Sequence, residues 1–111
     1  MYRTNLRAIK AVRFGEIGST RVTMKQLVGK EDGAEKTALH EIKILKGGRT
    51  SVHSHNWQHQ MFVAAGSGIL VIGGKRAPIK EGDVLVIQRG EEHGFEQRGR
   101  GPLVMLTVTP L

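Results

Sequence analysis

From Thr20 to the C-terminus the apolar residues fall in short runs separated by glycine-rich turns, and no stretch sustains a helical period. The run "TRVTMKQLVG" (20–29) predicts a first strand, and the polar segment 30–36 predicts a loop. In "TALHEIKIL" (37–45), His40, Ile42 and Ile44 alternate with Glu41 and Lys43. A period of two turns one face of the strand inward. The pair Gly47-Gly48 then predicts a turn that ends the strand. "MFVAA", "GILVI", "DVLVI" and "PLVMLTV" follow as further strands, with Gly73-Gly74 as a hairpin turn. Strands this short and this closely joined predict an all-β protein, an antiparallel sandwich or small barrel. Helix is confined to a turn or two near the N-terminus, where Leu6, Ile9, Lys10 and Arg13 permit it.

A chain of 111 residues supplies one modest core, so a single domain is expected, with residues 1–19 as an N-terminal arm and 20–111 as the barrel. The apolar fraction of 39% is modest but patterned, which speaks for a folded chain. The formal charge is +7, yet only Arg3, Arg7, Lys10 and Arg13 form a basic segment free of acids. Net charge of this kind bears on solubility more than on fold, and interleaved aromatic platforms for nucleic acid are missing. No apolar run is long enough to span a bilayer and no signal-peptide core is evident, so a cytoplasmic location without membrane or nucleic-acid partners is expected. The chain has no cysteine, which removes thiolate-bound metal centres and leaves histidine as the main nitrogen ligand.

Three of the five histidines stand in "SVHSHNWQHQ". On an extended chain His53 and His55 point the same way, and His59 follows after enough residues for a sharp turn. His93, in "QRGEEHGFEQ", joins them if its segment pairs alongside. Alternation from His93 puts Phe95 and Gln97 on its face, and either Met61 with His59 or Phe62 with Gln60 turns inward. Trp57, between the histidines, is a lid or a turn anchor. His40 reads as a structural residue, and Glu91 and Glu92 as a solvated turn; no carboxylate is marked as inward-facing.

These residues stand at recognisable spacings. Gly47, five residues, His53, Ser54, His55 and a later glycine at Gly66 or Gly68 resemble the first motif of the cupin superfamily. Gly82, five residues, Gln88, Arg89, Gly90, two residues, His93, three residues and Gln97 resemble its second motif. The likeness runs from about Thr20 to the end, and it implies a small double-sheet barrel of the jelly-roll type. It departs from the pattern where Gln60 stands in place of the usual glutamate, with His59 at the alternative spacing, and where Gln88, Gln97 and Asn56 replace proline, asparagine and proline. On that resemblance His53, His55, His59 and His93 are the implied ligands of one divalent transition metal, whether manganese, iron, copper, nickel or zinc. Trp57, Gln60, Met61, Phe62, Phe95 and Gln97 are the residues implied around it. The resemblance further implies a metal-dependent enzyme on a small-molecule substrate, with dioxygenation or oxidative cleavage foremost. An isomerase or lyase, or a cupin that binds without turnover, are the alternatives. A homodimer formed through an N-terminal strand is also implied.

Overall fold

The alternation read in 37–45 belongs to a longer strand, and the other strands assemble around it. A computed structural model describes residues 1–111. Nine strands run in chain order: β1 (Val12–Arg13), β2 (Thr20–Val28), β3 (Thr37–Arg49), β4 (His59–Ala65), β5 (Ser67–Ile72), β6 (Lys75–Lys80), β7 (Val84–Ile87), β8 (His93–Arg98) and β9 (Leu103–Pro110). Helix is limited to 3-10 turns at Leu6–Ala8 and Lys30–Asp32, and no helix is long and apolar enough to cross a membrane.

All pairings are antiparallel. One layer has the order β1-β2-β3-β9-β4-β7, and a second has β6-β5-β8. β3 serves both, because its last residue, Arg49, pairs with Thr20 of β2 and with Glu96 of β8. The fold is an all-β, curled antiparallel barrel.

Two local features differ from the sequence reading. Gly47 and Gly48 do not end β3; they kink it, and the register against β2 shifts between Thr20 and Val22. Gly47 takes φ +80, and a Cβ on Gly48 would lie 2.7 Å from the Thr20 carbonyl oxygen. Only glycine lets the strand bend there and pass from one layer to the other. β6, "KRAPIK", gave no strand signal because it is polar and contains Pro78, and such a segment is tolerated where it pairs on one side only.

The inner face of the larger layer changes character along its length. On β3 the inward residues run Ile44, Ile42, His40; on β9, Leu103, Met105, Thr107; on β4, Val63, Met61, His59. Cross-strand register aligns Ile44 with Leu103, Ile42 with Met105, and His40 with Thr107. Ile44, Val63, Leu103 and Met105 are fully shielded, at 0% exposure, and close one end of the barrel. The other end is hollow.

The outer face is less polar than alternation predicts. Glu41 is buried there, paired across the strands with Lys25 and Leu106. Next to Leu106 in register come Phe62 and then Val84, which are 44% and 78% exposed. The basic N-terminal segment lies along β2: Tyr2 Oη donates to the Leu27 carbonyl at 2.9 Å, and Lys25 Nζ donates to the Leu6 carbonyl at 3.0 Å.

Candidate metal centre

His53, His55, His59 and His93 reach the hollow end by different routes. His93 opens β8, and His53 pairs beside it through reciprocal backbone hydrogen bonds of 3.0 and 2.9 Å. His59 opens β4. The expected strand carrying both His53 and His55 is absent, since only an isolated bridge at His53 interrupts irregular chain. The loop instead folds so that the two Nε2 atoms lie 2.9 Å apart, with the His55 carbonyl held by the Gly90 N–H at 2.8 Å.

The outer nitrogens set the tautomers. His53 Nδ1 is 2.9 Å from the Ser51 carbonyl, and His93 Nδ1 is 2.8 Å from the Glu91 carbonyl. A carbonyl only accepts, so both Nδ1 atoms carry the hydrogen and both Nε2 atoms present a lone pair. His59 Nδ1 lies 3.3 Å from Thr107 Oγ1, and its buried Nε2 has no partner. Buried imidazole nitrogens without partners are costly, and the arrangement matches that of metal-bound histidines, whose far nitrogen is steadied by a carbonyl or hydroxyl.

His53, His55 and His93 bring ligand atoms within 4.8 Å of one another. Two nitrogens each about 2.1 Å from one ion at a right angle stand about 3.0 Å apart, close to the 2.9 Å between His53 and His55. The His59 ring adjoins this group, with its centroid 4.8 Å from that of His55 and 5.4 Å from that of His93. Burial, reinforced by neighbouring imidazoles, pushes His55 below its ordinary value and His59 down to about 4. Burial likewise lowers His93. Neutral rings are what a cation requires.

These rings border a cavity of about 250 Å³. Trp57 stacks on His55 with centroids 4.6 Å apart and planes within 4° of parallel, and lines the cavity wall. Met61 and Phe95 line it too. Gln60 and Phe62 do not: the register that turns His59 and Met61 inward places them on the outer face, so they are withdrawn from the pocket. Gln97 points inward but far from the cavity, where its amide accepts from Gly47 N–H and donates to the Gly99 and Gly101 carbonyls. It pins turns.

Two ionisable residues of the cavity lie outside the expected site. Glu16 comes from the N-terminal segment to within 3.6 Å of His53 Nδ1, so the cavity does have a carboxylate. Nothing periodic marks it. His40, expected to be structural, lines the cavity, and its place in the alternation with Ile42 and Ile44 was the available signal.

A family profile described as "Cupin domain" matches residues 40–109. The chain belongs to the cupin family. Among proteins of known structure it is similar to the polyketide cyclase RemF from Streptomyces resistomycificus, with 32% identity and a TM-score of 0.94 over 99% of this chain and 79% of that one. It is similar to the oxalate-binding protein of Thermotoga maritima, 32% identical over 82% of this chain and 77% of that protein. A third relative, the tetracenomycin polyketide synthase protein TcmJ of Streptomyces glaucescens, is 27% identical over 85% of this chain and 62% of TcmJ.

Proposed function

We propose that this cupin is a metal-dependent enzyme for a neutral, largely apolar carbonyl compound, and that its reaction is a proton transfer leading to cyclisation or isomerisation. One observation carries the reading: of 17 lysines and arginines in the chain, none lines the cavity. Anionic substrates are ordinarily met by such cations. The wall is instead built from groups such as Phe14, Met24, Ile42, Met61, Phe95 and Met105, which favour an apolar body. The likeness to a polyketide cyclase supports the same class.

His53, His55 and His93 would hold a divalent ion through their Nε2 atoms, with His59 as the proposed fourth ligand. When bound, such an ion supplies a Lewis acid for a carbonyl oxygen. Trp57 and Phe95 confine the apolar body and exclude water. Glu16, the only carboxylate lining the cavity, is placed to take a proton from the carbon beside the carbonyl, the electron pair of that C–H bond moving towards the carbonyl oxygen. The same carboxylic acid returns the proton at the end of the reaction. The preference for oxygen chemistry in the sequence reading leaned on the absence of such a carboxylate. Oxidative cleavage remains the second reading, favoured by the all-imidazole cluster, which leaves positions on an ion for further ligands. A homodimer is proposed as well; exposed Phe62, Val84 and Val86 on the outer face suit burial against a second copy.

The test is deuterium exchange into the methyl group of ortho-hydroxyacetophenone, a neutral chelating ketone, followed by NMR under argon. Zinc- or manganese-loaded protein is expected to accelerate exchange, and His53→Ala with His55→Ala to abolish the acceleration. Oxygen uptake in air with no anaerobic exchange would move the assignment to the oxidative reading. Tight oxalate binding with no ketone binding would overturn the neutral-substrate assignment.

A further inference from the structure

The cavity has further polar groups that the histidine cluster does not include. His40 on β3 and Thr109 on β9 both line it, and neither the imidazole nor the Thr109 hydroxyl meets a hydrogen-bond partner within the protein. In register, His40 pairs with Thr107, and Thr107 pairs with Met61 of β4. His40 therefore lies two strand spacings from the strand that carries His59, about 10 Å along the sheet at ~4.8 Å per step. Its register neighbours are Gln26 of β2 and Thr107 of β9, and one inward step deeper the wall turns apolar, with Met24 on β2, Ile42 on β3 and Met105 on β9.

An unengaged imidazole in such a wall is either a solvated residue or a contact for a ligand. Its position decides between them. Polar groups that fix a ligand's orientation are few and separated in a largely apolar pocket, and here one set stands at the histidine cluster while His40 stands two strands away from β4 on the same sheet. We propose that His40, assisted by Thr109, is a second polar subsite that hydrogen-bonds a hydroxyl or carbonyl oxygen of the ligand remote from the oxygen held at the histidine cluster. This rests on the neutral-carbonyl reading and narrows it to substrates with oxygen functions at both ends, roughly one aromatic ring apart. Burial lowers the His40 imidazole below its ordinary value, so the ring is neutral and offers one N–H donor and one bare acceptor nitrogen. It is a positioning residue in this scheme, with no step in proton transfer.

Two probes separate the possibilities: ortho-hydroxyacetophenone, and resacetophenone, which adds a hydroxyl across the ring from the ketone. Calorimetry on zinc-loaded protein near pH 7 should show resacetophenone binding about five- to tenfold more tightly, the increment for one neutral hydrogen bond. His40→Phe should erase that preference while leaving the affinity for ortho-hydroxyacetophenone unchanged, and His40→Gln, which can still hydrogen-bond, should restore part of it. A purely structural His40 would lower both affinities together or neither, and either result overturns the subsite. Equal binding of the two probes by the wild type also overturns it, and leaves the neutral-carbonyl reading standing. Failure of both probes to bind, with zinc shown to be present, removes that reading and the subsite with it.

Discussion

The same three strands make both ends of the barrel's inner face, and the two ends have opposite chemistry. At the closed end Ile44, Leu103 and Val63 stack with no exposure; at the open end His40, Thr107 and His59 occupy equivalent inward positions a few residues along. Backbone pairing is continuous from one end to the other, so the hydrogen-bonded ladder does not distinguish them. What differs is the side-chain free energy. Shape-complementary aliphatic groups stabilise the folded chain, whereas imidazoles and hydroxyls that face the cavity contribute little and hold polar atoms ready for a ligand. Stability and function are thus segregated along single strands.

The sharpest way to break this picture is to truncate equivalent positions at the two ends. Leu103→Ala is expected to cost about 3 kcal/mol, within the usual range for a cavity opened in a tight core. His40→Ala should cost well under 1 kcal/mol, since that ring has no protein hydrogen bond to lose and borders open space. Urea denaturation of both variants checks the contrast. Equal losses would mean that the hollow end supports the fold as much as the plug does.

The second effect is carried by protons. The His59 imidazole titrates at 6.5 when unfolded and at about 4 when folded, and burial is the main cause. Between those values the unfolded chain binds a proton that the folded one refuses, so the metal-free protein loses stability as the pH falls from 6.5 towards 4. His40, His55 and His93 are shifted in the same direction by burial and add to the trend. Allowing for partial solvent screening, the loss is on the order of 1–2 kcal/mol. Thermal melts of metal-free protein over that pH range should show it, and a pH-independent midpoint would refute the shielding of these rings. Bound metal should raise the midpoint and steepen its dependence on pH, because protons and cation compete for the same nitrogens.

Much of the fold was legible because strand periodicity and turn glycines act locally. The strand positions of β2, β3, β4, β5, β7 and β9 follow from alternation and apolar runs. β6 escaped because an edge strand can be polar and contain Pro78. Gly47-Gly48 was mistaken for a turn because a glycine pair marks any sharp change of direction, and a kink within a strand that serves two sheets is a tertiary event. In the site, the grouping of His53, His55 and His93 was anticipated by motif spacing, though a folded loop, and not a regular strand, achieves it. Alternation alone left open whether Met61 with His59 or Phe62 with Gln60 turns inward, since one register choice at His59 flips every neighbour. Glu16 was invisible: it comes from outside both motifs and reaches the cavity only through the packing of the arm against β2.

A finer probe lies at Thr107, which belongs to the plug by burial and to the site by chemistry. It is 5% exposed, and its hydroxyl is 3.3 Å from His59 Nδ1. Thr107→Val preserves shape and removes the hydroxyl. Stability should change by about 1 kcal/mol or less, while zinc affinity falls by ten- to a hundredfold, the usual consequence of freeing a ligand's far nitrogen. Competition with a chromogenic chelator measures the affinity. Unchanged zinc binding would show that His59 is not a ligand, or that its ring is steadied by packing alone.

The smallest expected effect is at Thr109, one inward step further towards the opening. Its hydroxyl has no protein partner, so Thr109→Val removes nothing that the empty fold uses and adds a methyl group at a half-exposed wall. Stability should stay within about 0.5 kcal/mol of the parent, as is usual for a position with no packing or hydrogen bond at stake. Zinc affinity should also be unaffected, because Thr109 steadies none of the four imidazoles. Thr107→Val and Thr109→Val are the same chemical change on one strand, so any difference in zinc binding between them isolates the hydrogen bond to His59 from the general effect of replacing a hydroxyl with a methyl group. If both weaken zinc equally, the division between a wall that serves the ion and a wall that serves the ligand disappears, and the open end must be treated as one polar unit.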